Sequence, residues 1–180
     1  MHRQARVIAR KTIYRGRVIR LDLDEVVEPG GIKAVREIVR HPGSVVVLPF
    51  LEDGRVVLVR QYRHAARQPL WELVAGGLKR GEKPEKAARR ELLEEAGYRA
   101  RSVRLLFDFY PSPGFLSERM FMVEARGLAP AKAAPEADER IEVGCFAPAE
   151  IHKMLRAGEI RDGKTLTGLL WINYVGNNLK

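Results

Sequence analysis

The stretch Gly76–Tyr98, GGLKRGEKPEKAARRELLEEAGY, carries the clearest local signals in the chain. Pro84 suits the first turn of a helix, where a missing N–H costs nothing, and Gly97 suits its left-handed stop, so a helix is predicted from Pro84 to about Ala96. Ala88, Leu92 and Ala96 recur at every fourth position, with Leu93 beside them, and make the stripe expected to be buried. Glu91, Glu94 and Glu95 stand at i, i+3 and i+4, which gathers three carboxylates within one turn. Arg90 can offset part of their repulsion by pairing with Glu94. Glu82 adds a fourth carboxylate on an approach where Gly76, Gly77 and Gly81 leave the backbone open. Clustered oxygen donors on a rigid element suit a hard divalent cation, and a helix N-terminus suits an anion. An ELLEE string alone also fits a solvated acidic face; the glycine loop before it favours a site for metal and phosphate.

Outside this segment, 180 residues and 20.4 kDa fit one domain, or one domain with a small appendage. With 46% hydrophobic and 31% charged residues, global disorder is excluded. The longest apolar stretch, Val45–Phe50, falls far short of the ~20 residues a membrane-spanning helix needs. The basic N-terminus lacks the apolar stretch of a signal peptide, and the single Cys145 excludes an internal disulfide or a multi-cysteine zinc site. A soluble, cytoplasmic protein with no membrane partner is expected. The net charge of +9 favours anionic partners, among them nucleotides, phosphorylated metabolites and nucleic acid. Against nucleic acid, no basic patch is interleaved with aromatic residues.

Strands are expected at Val7–Tyr14, Arg17–Leu23 continuing through Val27, and Ile32–Val39, with Pro29-Gly30-Gly31 as a turn. This N-terminal sheet, residues 1–42, is too small to bury its own surface and must pack on the rest of the chain or on a second subunit. Further strands are expected at Val45–Phe50 and Arg55–Arg60 around an Asp53-Gly54 hairpin, then at Leu70–Ala75, Val103–Tyr110, Arg119–Glu124 and Ile141–Phe146. Residues 128–138 are expected to form a surface loop. Pro148–Ala157 and about Lys164–Asn178 are expected to be helices, the last turning Leu166, Leu169, Leu170 and Val175 inwards. The alternation predicts mixed α/β or α+β architecture.

Gly76, Glu82, Arg90, Glu91, Leu92, Glu94, Glu95, Gly97 and Tyr98 fill the pattern Gly-x5-Glu-x7-Arg-Glu-U-x-Glu-Glu-x-Gly-U, where U is bulky and apolar. The segment therefore resembles the Nudix box of the Nudix hydrolase family; Tyr98, aromatic where an aliphatic residue is commoner, is its mild departure. The resemblance implies an α/β/α Nudix sandwich with a mixed β-sheet over residues 43–180. It also implies a pyrophosphohydrolase of nucleoside diphosphates linked to another moiety, with two to three Mg²⁺ ions, or Mn²⁺, per site. Carried over, Glu91 and Glu95 are metal ligands, and Glu94 is a further ligand or orients water. Ala75 offers its backbone carbonyl, Arg90 holds the carboxylates, and Glu82 is a holding group or weaker ligand.

Three features resemble the ADP-ribose pyrophosphatase branch. Pro113 lies sixteen positions after Gly97, within Ser112-Pro113-Gly114-Phe115. Arg60-Gln61-Tyr62-Arg63 and Trp71-Glu72-Leu73-Val74-Ala75-Gly76 are similar to its substrate-contacting strands, and Arg36-Glu37 with His41-Pro42-Gly43 to its dimerisation sheet. Likeness to this branch implies hydrolysis of ADP-ribose to AMP and ribose 5-phosphate by a homodimer. Arg60, Arg63, Glu72, Pro113, Gly114 and Phe115 would bind substrate, with Phe115 or Tyr62 bordering the adenine. The family's loop glutamate is matched by Glu139, with Glu136 and Asp138 as alternatives; a second acid found there in some relatives is replaced by Ala137. Other ADP-sugars, FAD, NADH or dinucleoside polyphosphates are alternative substrates. A non-catalytic ADP-ribose sensor is the alternative outside enzymes, and the intact box speaks against it.

Overall fold

The computed structural model describes residues 4–134 and 140–175. Its elements run β1 (Arg6–Arg15), β2 (Arg20–Val27), β3 (Lys33–Arg40), β4 (Ser44–Pro49), β5 (Val56–Arg63), β6 (Gln68–Glu72) and β7 (Ala75–Gly77). Next come α1 (Pro84–Ala96), β8 (Tyr98–Phe109), β9 (Met120–Pro130), β10 (Ile141–Phe146), α2 (Pro148–Arg156) and α3 (Gly163–Tyr174). Two compact units emerge. Met1–Gly43 with Tyr110–Arg119 form one, and Ser44–Phe109 with Met120–Lys180 form the other.

In the larger unit, β7-β4-β9-β8 and β10-β5-β6 are separate sheets, and β4 runs parallel to β9 while its pairing with β7 is antiparallel. Strand alternation on β4 divides the core. Val45 and Val47 pack with Ala87, Ala88, Leu92 and Ala96 of α1. Val46 and Leu48 pack with Ile151 and Met154 of α2 and Leu169 of α3. Helices thus cover opposite faces of the sheet, which is the expected α/β/α layering with a mixed sheet. No helix among the described residues is long and apolar enough to cross a membrane.

Three expectations give way in this unit. The strand expected at Leu70–Ala75 divides into β6 and β7, and β7 takes in Gly76 and Gly77, which pair with Val45 and Ser44 of β4. β9 continues through Leu128-Ala129-Pro130 instead of ending in a loop, because β8 pairs with it as far as Tyr98↔Pro130. β4 leaves β9 at Ala125, so Pro130 sits where β9 has one neighbour, the edge position that proline tolerates. On α3, Leu170 and Val175 are exposed; the inward stripe is Thr165, Gly168 and Leu169, flanked by Leu166 and Ile172. Gly176, Asn177 and Asn178 of the expected helix lie outside the described residues.

In the smaller unit, β1-β2-β3 form an antiparallel sheet. The Val39 N–H donates to the Phe115 carbonyl at 2.8 Å and the Ser117 N–H to the Val39 carbonyl at 2.9 Å, which ties the 110–119 segment to β3. β1 is exposed along its whole length, Val7, Ile8, Ile13 and Tyr14 included. β2 buries Asp22, Asp24 and Val26. Asp22 accepts from Thr12, Arg20 and Arg40, while Asp24 accepts from Arg10 and Arg40. Burial pushes the Asp22 carboxyl up, but bonds from Arg20, Thr12 and Arg40 outweigh it and bring it down to about 2.

Candidate active site

α1 begins at Pro84 and ends against Gly97, which is left-handed at φ 68°. A Cβ there would also come within 3.0 Å of the Ala131 carbonyl, so Gly97 lets the chain turn out of the helix into β8. The buried side of α1 holds Ala87, Ala88, Glu91, Leu92, Glu95 and Ala96, so two carboxylates join the apolar stripe. Glu91 is 7% exposed and Glu95 8%, while Leu93 is only partly buried.

These acids face β7. The Ala75 N–H donates to Glu95 Oε2 at 3.3 Å. A Cβ on Gly76 would overlap the Glu91 carboxylate, so the glycine makes the room that carboxylate occupies. Arg90 gathers the other acids. Its Nε and one terminal nitrogen donate to Glu82 at 3.2 and 2.9 Å; the other terminal nitrogen donates to Glu91 at 2.6 Å and Glu94 at 3.1 Å. A further bond to the Gly77 carbonyl at 3.1 Å ties the helix to β7. Arg90 holds the Glu82 carboxyl below its usual value, helped by the Lys79 N–H. In return Glu82, then Glu91 and Glu94, raise Arg90 above the ordinary guanidinium value.

One guanidinium thus serves three carboxylates, and Glu95 lies on the buried helix face with Glu91. As they stand, no three His, Cys, Asp or Glu side chains among the described residues are arranged to hold a metal ion. The donor set nevertheless fits a hard divalent cation: oxygen ligands, an excess of negative charge, and a Cβ-free backbone close by. A cation would share Glu91 and Glu94 with Arg90, which holds them in place.

Arg63 joins this neighbourhood. Its Nε and a terminal nitrogen donate to the two oxygens of Glu72 at 2.7 and 2.8 Å, and the charge of Glu95 contributes to raising Arg63 above its usual value, after that of Glu72. Glu72, expected to contact substrate, is 1% exposed and has both oxygens occupied by Arg63 and Lys164, so it holds Arg63 in place instead of meeting solvent. Burial pushes the Glu72 carboxyl up, but Arg63 and Lys164 outweigh it and hold it below its usual value.

Arg60, three residues from Arg63 on β5, belongs to the opposite face of the strand. It lies over the Trp71 ring at 5.8 Å and lines a cleft of about 300 Å³ with Gln68, Trp71, Glu159 and Arg161. Pro113 and Phe115 line a cleft of about 360 Å³ within the smaller unit, with Ile38, Arg40 and Tyr110; Gly114 lies between them in the chain. Glu139, Glu136 and Asp138 lie outside the described residues. Lys164 and Asp162, which bear on Glu72, were not expected from sequence: Lys164 and Glu72 are 92 positions apart.

The chain is similar to known proteins over most of its length. The chain is 35% identical to the ADP-ribose pyrophosphatase of Bacillus subtilis over 171 residues, covering 94% of this chain and 92% of that protein. It is 34% identical over the same length to the methanol dehydrogenase activator of Bacillus methanolicus, again covering 94% and 92%. The fold matches a crystal structure of an ADP compounds hydrolase with a TM-score of 0.86 and 20% identity, covering 99% of this chain and 97% of that one. The NUDIX domain profile matches residues 40–167, which include α1, β7 and the acids they position, and the chain belongs to the Nudix family.

Proposed function

We propose that the chain is a divalent-metal-dependent pyrophosphatase that hydrolyses ADP-ribose to AMP and ribose 5-phosphate. The observation that carries this is the burial of Glu91 and Glu95 on the α1 face turned to the Cβ-free β7, beside an arginine outnumbered by its acids. The choice of ADP-ribose rests on the Bacillus subtilis relative and on the placing of Pro113.

Glu91, Glu94 and Glu95, with the Ala75 carbonyl and Glu139, would hold two to three Mg²⁺ ions, or Mn²⁺ in their place. Bound there, the cations neutralise charge developing on the pyrophosphate and acidify the attacking water. Arg90 keeps the carboxylates in register. Arg63, steadied by Glu72, offers charge-assisted bonds to the diphosphate. Arg60 is assigned to the cleft on the opposite face of β5, Pro113, Gly114 and Phe115 to a substrate-facing loop, and Glu139 to orienting the water.

We assign residues 1–42 to homodimerisation and 43–180 to catalysis, in the cytoplasm, where a single free cysteine is at home. The exposed Val7, Ile8, Ile13 and Tyr14 of β1 supply apolar surface for the dimer.

The test is hydrolysis of ADP-ribose, ADP-glucose, FAD, NADH, a diadenosine polyphosphate, 8-oxo-dGTP and triphosphorylated RNA at fixed Mg²⁺, with products resolved by chromatography. AMP and ribose 5-phosphate should form fastest from ADP-ribose. Preference for another substrate would overturn the ADP-ribose assignment, and tight binding without turnover would make the protein a sensor. Sedimentation at micromolar concentration should give a dimer; a monomer would sink the role given to residues 1–42.

A further inference from the structure

We propose that Lys164 is a positioning residue that sets the placement of Arg63 through Glu72, and so controls how the site grips the diphosphate. This rests on the pyrophosphatase function proposed above.

Lys164 lies in the first turn of α3, and its side chain is 10% exposed, rare for a lysine without partners. Its Nζ donates to Glu72 Oε2 and pairs with Asp162 Oδ2 at 3.0 Å. Glu72, in turn, accepts from Arg63 on both oxygens. The charges therefore alternate along one line: Asp162, Lys164, Glu72, Arg63, and then the field of Glu95.

The line is anchored twice. Asp162 caps α3 by accepting from the Thr165 N–H at 3.0 Å and from its hydroxyl at 2.5 Å. The Thr165 hydroxyl oxygen accepts from the Leu73 N–H at 2.8 Å, one residue beyond Glu72. The first turn of α3 is thus clamped to the end of β6, and the lysine fills the gap between them.

Arg63 is 42% exposed on its side chain, so its outer edge is free to meet a ligand while Glu72 occupies its inner edge. Without Lys164, the Arg63–Glu72 pair keeps its attraction but loses the charge that fixes Glu72 from behind. The carboxylate is then free to shift, and Arg63 shifts with it. Displacement of a substrate-holding group by about 1 Å can cost ~10²-fold in rate.

The test compares wild type, Lys164→Met, Lys164→Arg, Arg63→Ala and the Lys164→Met/Arg63→Ala double variant, each by kcat and KM for ADP-ribose with Mg²⁺ and by melting temperature. Lys164→Met should lower kcat/KM by about 10- to 100-fold, chiefly through KM, and Lys164→Arg should recover most of it. In the Arg63→Ala background, Lys164→Met should change neither constant further. Wild-type constants in Lys164→Met would overturn the proposal. So would an equal loss in the Arg63→Ala background, or a lower melting temperature with unaltered kinetics, each of which marks a merely structural lysine. Should Lys164→Met fail to fold, Asp162→Asn takes its place, since asparagine still caps α3 but holds the lysine less firmly. Its rise in KM should vanish in the Arg63→Ala background, and persistence there would count against the lysine. If wild type ignores ADP-ribose, the function above fails, and the same cycle on its preferred substrate decides the lysine separately.

Discussion

Two clusters in this molecule bury carboxylates beside arginines, and they differ in balance. On β2, Asp22 and Asp24 are served by three guanidiniums, from Arg10, Arg20 and Arg40, and by the Thr12 hydroxyl. Around α1, Glu82 of the preceding turn and Glu91 and Glu94 of the helix share Arg90, with Glu95 buried next to Glu91 and Glu94. The first cluster has more cations than it needs and is a finished structural joint. In the second, three carboxylates bond to one guanidinium, and the proposed divalent ion would add the positive charge that so many acids favour. Burial of acids is common to both clusters; the ratio of acids to the guanidiniums bonded to them separates the two.

Replacing acids by amides breaks this comparison most directly. Glu95→Gln should lower kcat for ADP-ribose by about 10²- to 10⁴-fold with circular dichroism unchanged. Near-normal turnover would remove Glu95 from the metal set. Gly76→Ala should come next: its methyl displaces the Glu91 carboxylate, and we expect a loss of ~10²-fold in kcat with the fold retained. Arg90→Lys keeps one charge but loses the fork that reaches three acids, and should cost about 10- to 100-fold in kcat/KM while raising the Mg²⁺ concentration needed.

The β2 cluster should respond in stability and not in turnover. Asp22→Asn should lower the melting temperature by several degrees, with kcat per folded molecule kept. The depressed carboxyl sets the sign with pH. Asp22 is at about 2 in the folded state, below its ordinary 3.8, so its stabilisation is present above the ordinary value and is lost as pH falls towards 2. Acid unfolding tracked by circular dichroism should therefore steepen between pH ~4 and ~2, and Asp22→Asn should flatten that limb. An unchanged limb would mean that Asp22 carries no linked proton.

Much of the frame was open to reading from sequence because its signals are local. Pro84 and Gly97 bracket α1 at the residues expected, and Asp53-Gly54 turns β4 into β5. The nine box positions mark the acids because their spacing on a helix puts them on one side. What escaped was non-local or depended on a sign that polarity gives wrongly. On β2 the two-residue alternation is plain, yet the buried face carries Asp22 and Asp24 while Leu21 and Leu23 are only partly buried. Arginines on β1 and β3 make that possible, and no periodicity announces them. Lys164 sat in a segment read for its leucines, and its partner is a strand residue far away in the chain. Arg60 and Arg63 looked like a pair in sequence, but three steps along a strand reverse the face.

The N-terminus of α3 has a thermal consequence. Asp162, Lys164 and Thr165 all lie in or before its first turn, and helix ends open at lower free-energy cost than cores do. On the role proposed for Lys164, opening of that turn on warming should loosen Arg63 while the sheets are still intact. Inactivation should run ahead of melting, and the working ceiling of the enzyme becomes a property of one helix cap.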